Sequence, residues 1–320
     1  MLSPVFDALT WTNQFADPLA WLVVAAFLLT VGVEYADTDA ARYLGVGGWV
    51  LFGVFWLTQL SHFAFTQRSI VETVGVLLAI PGSLYVGYLL WNGRDSLFVL
   101  TRAVAVMGVL YLHFVSLPWI QQPLIETVTR QTEFVMTLLG FDPTVISGAA
   151  VEGASHEPYR STFEFYDGDH RITYTILIAC TGVGSMAIIA GLVLAVRAPP
   201  KRKAMGLLVS VPVIYVLNIA RNVFIGLSFG KQWMQFAPDL TLSLFGATDP
   251  YLVSYFWADR IIAQSLSVVF MVAITFLVVR QTPQVLVIIE DLLYIFTRRE
   301  WDLQDALDLP QPGETAEAAD

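Results

Sequence analysis

The sequence predicts an all-α polytopic membrane protein of about seven transmembrane helices, with interfacial amphipathic helices and a small external loop or hairpin. Three observations carry that prediction. Of 320 residues, 56% are hydrophobic and 14% charged, and mean hydropathy is +0.64. That composition does not describe a soluble surface, so a cytosolic globular protein is excluded. Apolar runs of about 18 residues or more recur, each long enough to cross a hydrocarbon core about 30 Å thick. Short polar connections holding Arg42, Arg68 and Arg94 separate them.

The first span is expected at Leu19–Glu34. Asp7 and Asp17 precede or open it, with no Lys or Arg before it, so it lacks the basic region of a cleaved signal peptide and is expected to be retained. Leu44–Phe63, Ile70–Trp91 and Leu97–Pro118 follow as apolar runs. From Gln121 to Leu139, Glu126, Arg130 and Glu133 are spaced among apolar residues at helical intervals, which suits a helix lying at the interface. Between Phe141 and Arg171 the chain turns polar, and Phe163–Tyr174 reads as two short strands around Asp167-Gly168. Three further spans are expected at Ile172–Val196, Ala204–Phe229 and Tyr255–Val279. Val285–Phe296, apolar on one side and short for a crossing, reads as a second interfacial helix. Residues 1–300 thus form one integral membrane domain, with residues 141–171 outside, and residues 301–320 form an acidic cytoplasmic tail.

Orientation follows from Arg197, Lys201, Arg202 and Lys203, the densest basic cluster in the chain, because cytoplasmic loops collect Lys and Arg. That rule places the C-terminus in the cytoplasm and the N-terminus outside a cell membrane. Acids outnumber bases 27 to 17, for a net charge of −10, which argues against a nucleic-acid partner. Lysine is confined to Lys201, Lys203 and Lys231, and acids crowd the tail, as expected of a halophilic source. The single cysteine, Cys180, excludes an internal disulfide and any multi-thiolate metal site, and no cofactor or metal is implied.

The chemistry concentrates in the last three spans, which carry Cys180, Arg221, Asp259 and Arg260. An arginine within a membrane helix costs about 2.5–3.5 kcal/mol, so it requires a partner or a function. Counted from the expected outer ends of their spans, Cys180 and Arg221 lie about eight residues in and Arg260 about five, roughly 8–12 Å deep. Taken singly, each has a plain reading: a small hydrophobe for Cys180, an ion-pair member for Arg221, a snorkelling side chain for Arg260. Three helices presenting a thiol and two guanidiniums at one depth favour a site. A nearby cation stabilises a thiolate, the nucleophilic form of cysteine, and a guanidinium also stabilises an oxyanion. Tyr215, Asn218 and Asn222 near Arg221, and Asp259 and Gln264 near Arg260, are candidate supports. Of the four histidines, His62, His113, His156 and His170, the candidates for proton transfer kept here are His113 and His170. Gly182 and Gly184 read as helix-packing positions.

Ala179-Cys180-Thr181-Gly182, then Ala220-Arg221-Asn222, then Asp259-Arg260, in that order along successive spans, resembles the exosortase/archaeosortase family. The resemblance covers most of the chain. It implies a membrane-embedded cysteine transpeptidase in which Cys180 is the nucleophile, passing through a thioester, and Arg221 and Arg260 are its catalytic partners. It also implies the substrates and the acceptor. The former are secreted surface proteins, such as S-layer glycoprotein, ending in a tripartite signal: a Pro-Gly-Phe motif, an apolar span and a basic end. The latter is an archaeal membrane lipid, joined to the new C-terminus. Two other readings fit the residues: an intramembrane cysteine protease using water as acceptor, and a transporter, although no internal repeat of the kind transporters carry is visible.

Overall fold

The computed structural model describes residues 11–151 and 158–307. Among them, six helices are long and apolar enough to cross a membrane: Asn13–Glu34, Thr38–Thr66, Ile70–Trp91, Leu97–Ser116, Pro200–Gly230 and Leu252–Gln281. We call their α-helical bodies α1 (Ala16–Glu34), α2 (Thr38–Ser61), α3 (Ile70–Trp91) and α4 (Leu97–Ser116), and later α7 (Pro200–Gly230) and α9 (Leu252–Gln281). The ends follow local chemistry. Asp37 caps α2 by accepting from the Ala40 N–H at 3.0 Å, which starts that helix six residues before its expected position. Ser69 caps α3 through the Glu72 N–H at 3.3 Å. Pro118 does not end α4 but opens α5 (Pro118–Leu138), since a missing N–H costs nothing in a first turn.

The expected span Ile172–Val196 is corrected by the structure. Ile172, Tyr174 and Ile176 are buried in alternation, the period of a strand, and the β-structure runs to Thr175. A single 3₁₀ turn, Ile178–Thr181, follows, and Gly182 closes it at φ +79°. Helix α6 covers only Val183–Ala195, 13 residues or about 20 Å. Cys180 therefore sits in a turn ahead of a helix rather than eight residues inside one. The two interfacial readings gain helices of matching place: α5, which is not among the apolar spans, and α10 (Leu286–Thr297), too short at 12 residues to cross.

The described chain divides into two compact units. The first comprises residues 1–110, 187–210 and 274–320. Here α1, α2 and α3 pack closely because α2 is glycine-bearing. A Cβ at Gly45 would lie 2.6 Å from Leu90, and one at Gly48 would lie 2.8 Å from Phe27. Trp49 Nε1 donates to Thr101 at 2.9 Å, tying α2 to α4. Within α4, Arg102 pairs with Glu34 at 3.0 Å and also donates to the Ala195 carbonyl at 2.9 Å. Arg94 bonds the buried Asp291 of α10 at 2.8 Å and stacks over Tyr294 at 3.8 Å. It also binds the exposed Glu300, whose carboxyl that hydrogen bond holds below its ordinary range. Residues 308–320, most of the acidic tail, lie outside the described residues.

The second unit comprises residues 111–186 and 211–273. Its sheet has three antiparallel strands, β1 (Thr144–Ser147), β2 (Arg160–Asp167) and β3 (His170–Thr175), in that order. The hairpin of β2 and β3 turns at Gly168, φ +60°, where the Asp167-Gly168 reading placed it; β1 was not expected. Helix α5 buries Ile125, Val128, Thr129, Thr132 and Met136, one face at helical spacing, in a core with Phe163, Phe165, Tyr174 and Ile176. Backbone of α7 joins that core closely, since a Cβ at Gly230 would lie 2.4 Å from Phe165. A short helix, α8 (Pro238–Phe245), lies between the last two expected spans.

Candidate active site

The second unit brings together the three stretches singled out in the sequence. The Cys180 turn packs against α5, and the Cys180 side chain is half-buried against the unit's core. Asn218, Arg221 and Asn222 occupy one face of α7 at spacings of three and four. From that face the Asn218 and Asn222 amides both donate to the Cys180 carbonyl, at 2.7 and 2.8 Å. The Cys180 N–H donates to Leu177 at 2.8 Å. The backbone around the thiol is thus fixed by α7 on one side and by its own turn on the other. Gly182 is not a helix-packing residue: a Cβ there would meet Asn218 at 3.1 Å, and φ +79° suits glycine alone.

The third stretch is irregular in a way the sequence does not announce. Residues Phe256–Ala263 of α9 form a π-helix, a geometry that widens the turn and is frequent at functional sites. It presents Asp259, 5% exposed. Arg221 donates to one oxygen of Asp259 at 2.5 Å, and Arg260 pairs with the other at 3.3 Å. One buried carboxylate therefore holds guanidiniums from two helices. Arg260 also donates to the Tyr255 hydroxyl at 2.9 Å. On the far side, the Tyr174 hydroxyl of β3 donates to Asn222 at 3.4 Å. Arg221, Asp259, Arg260, Tyr174 and Tyr255 all lie within electrostatic range of the thiol. Such a set can support a nucleophile and bind an oxyanion.

The remaining expected residues fall into place as follows. Gln264 is buried at the end of the π segment. Tyr215 turns away, donating to Gln131 of α5. His170 is exposed at the start of β3, its ring stacked 3.6 Å from that of Tyr251. His113 is exposed in the last turn of α4. His62 belongs to the first unit, and His156 lies outside the described residues. Among the described residues no group of three or more His, Cys, Asp or Glu side chains is arranged to hold a metal.

Two site residues escaped the sequence reading: Tyr174 and Tyr255. Aromatic residues are 13% of the chain, so a single tyrosine carries little signal. Tyr255 stands five residues before Arg260, about 140° away around an α-helix. Only the π geometry brings them to one side.

Comparison with known proteins adds lineage to this geometry. Residues 11–248 match the transmembrane exosortase family. Archaeosortase A of Haloferax volcanii is 44% identical over 304 residues, which cover 92% of this chain and 98% of that protein. Archaeosortase A of Natronomonas pharaonis is also 44% identical, over 285 residues covering 88% of this chain and 89% of that protein. No solved structure matches.

Proposed function

The chain belongs to the transmembrane exosortase family, and from that premise we propose that it is a membrane-embedded cysteine transpeptidase with Cys180 as nucleophile. The observation that carries the reading is the double clamp on the Cys180 carbonyl by Asn218 and Asn222, the residues that flank Arg221 on one helix face. Because the clamp grips backbone, it sets where the thiol points relative to Arg221 without occupying the sulfur. Arg221, Asp259 and Arg260 carry two positive charges and one negative. A thiolate or an oxyanion beside them meets favourable charge at short range, and in a site shielded from water that interaction is strong.

In the proposed reaction the Cys180 thiolate attacks a substrate carbonyl, Arg221 stabilises the oxyanion, and the C–N bond breaks to leave a thioester on Cys180. A hydroxyl of a membrane lipid then attacks the thioester, and the thiolate departs. From the family resemblance, the substrates are secreted surface proteins with a C-terminal Pro-Gly-Phe motif, apolar span and basic end. Their cleaved end is joined to an archaeal membrane lipid. The basic cluster from Arg197 to Lys203 supports a cytoplasmic C-terminus, with the site toward the external face.

Intact-mass analysis of a mature substrate tests the reading. Loss of the C-terminal segment with a gain equal to one lipid, and partitioning into detergent, is the expected result. A free carboxylate with aqueous partitioning would reassign the chain to hydrolysis by a cysteine protease.

A further inference from the structure

Expelling an amine from a tetrahedral intermediate requires a proton, because an unprotonated amide anion is too basic to leave. Arg221 and Arg260 cannot supply it, since a guanidinium does not titrate in a protein. The two oxygens of Asp259 are each engaged by a guanidinium. His170 is committed to the Tyr251 ring and exposed, and His113 is exposed, whereas the arginine pair is largely buried. The hydroxyls of Tyr174 and Tyr255 stay in the cluster. Tyr174 directs its proton to Asn222, which in turn holds the Cys180 carbonyl, so it positions the turn.

Tyr255 differs. Its hydroxyl accepts from Arg260 at 2.9 Å and faces the Asp259 carboxylate, which two guanidiniums already hold, so its proton lies inside the charged cluster. Its ring is wedged between Phe229 and Phe256, with centroids 5.4 and 5.9 Å away. The charged and titratable groups around it are Asp259, Arg260, Cys180, Arg221 and Tyr174. A phenolate formed at Tyr255 would rest against the Arg260 guanidinium.

We propose that the Tyr255 hydroxyl is the proton donor to the leaving amine and then the base that activates the acceptor. This rests on Cys180 as nucleophile. In acylation the C–S bond forms, the C–N bond breaks, and the nitrogen takes the proton of Tyr255, leaving thioester, free amine and a phenolate paired with Arg260. In transfer the phenolate takes the proton of the acceptor hydroxyl, the C–O bond forms and the C–S bond breaks. Thiolate and neutral phenol are restored, so charge and protons balance over the cycle.

The test uses the full-length protein in liposomes and two substrates with the same acyl peptide, one a peptide amide and one an aryl ester whose leaving group departs without a proton. For Tyr255→Phe, acylation by the amide should fall about 10²–10⁴-fold, the usual share of general acid catalysis, while acylation by the ester stays within a few-fold of wild type. Equal loss on both substrates, or an undiminished amide rate, would overturn the role. Should Tyr255→Phe fold poorly, 3-fluorotyrosine at position 255 keeps the hydroxyl and makes it more acidic. At neutral pH amide acylation should then speed up and ester acylation should not; an unchanged or slowed amide rate overturns the proposal. Cys180→Ala should lose both substrates, and if it retains ester acylation on the enzyme, the nucleophile assignment fails and this proposal with it.

Discussion

Both units hold partly buried arginines, and they treat them differently. In the first unit three arginines answer to acids of their own: Arg102 to Glu34, Arg94 to Asp291 and Glu300, Arg42 to Asp39 and Asp95. In the second unit Arg221 and Arg260, from two different helices, share Asp259. A matched pair satisfies its own charge and holds helices together. A shared carboxylate leaves positive character to act on something else, and here the neighbour is a half-buried thiol. An arginine inside a membrane helix is therefore not by itself a mark of function. Under the proposed function, a strut and a catalytic arginine would differ in how their charge is answered.

The greatest loss is expected where Asp259 is shared. Arg221→Lys should lose about 10²–10³ in turnover, close to Arg221→Ala, because a planar fork can hold Asp259 and an oxyanion together while an ammonium is a point charge. Turnover assays on reconstituted protein check this, and near-normal activity of Arg221→Lys would remove the oxyanion role. The matched side should respond in stability instead. Arg102→Ala leaves Glu34 largely buried without its cation, at a cost on the order of 3 kcal/mol. A lowered midpoint of thermal unfolding, with unchanged turnover in the protein that remains folded, is the expected result. If Arg102→Ala abolished turnover at full stability, the division into struts and catalytic groups would fail. A smaller change sharpens the comparison at the turn itself. Gly182→Ala forces a side chain into a left-handed conformation, at about 1–2 kcal/mol, and presses on Asn218. Turnover should drop more than stability does, read by comparing activity and melting on the same preparation.

Much of this was legible in the sequence, and the misses have physical causes. The apolar runs located the six helices that, among the described residues, are long and apolar enough to cross a membrane, because a membrane allows few other solutions for backbone polar groups. Cys180, Arg221 and Asp259-Arg260 stood out because polar or reactive groups in apolar helices are costly. The setting of Cys180 inside a helix was misread because hydropathy does not distinguish a buried strand from a helix, and Ile172, Tyr174 and Ile176 lengthened the apparent span. The π segment left no mark, since the five-residue spacing of Tyr255 and Arg260 matters only once the helix has widened. Strand β1 is four residues long and gains its place from pairing with β2 rather than from its own pattern.

Whether Cys180 carries the substrate as a thioester is open to direct measurement. Rapid acid quench of the reconstituted protein during turnover, followed by digestion and mass analysis, reads this directly. The expected result is a hydroxylamine-labile adduct on the peptide containing Cys180, equal in mass to the substrate's acyl portion and absent from Cys180→Ala. Sustained processing by Cys180→Ala, or turnover by wild type with the acyl group found on another residue, would contradict it.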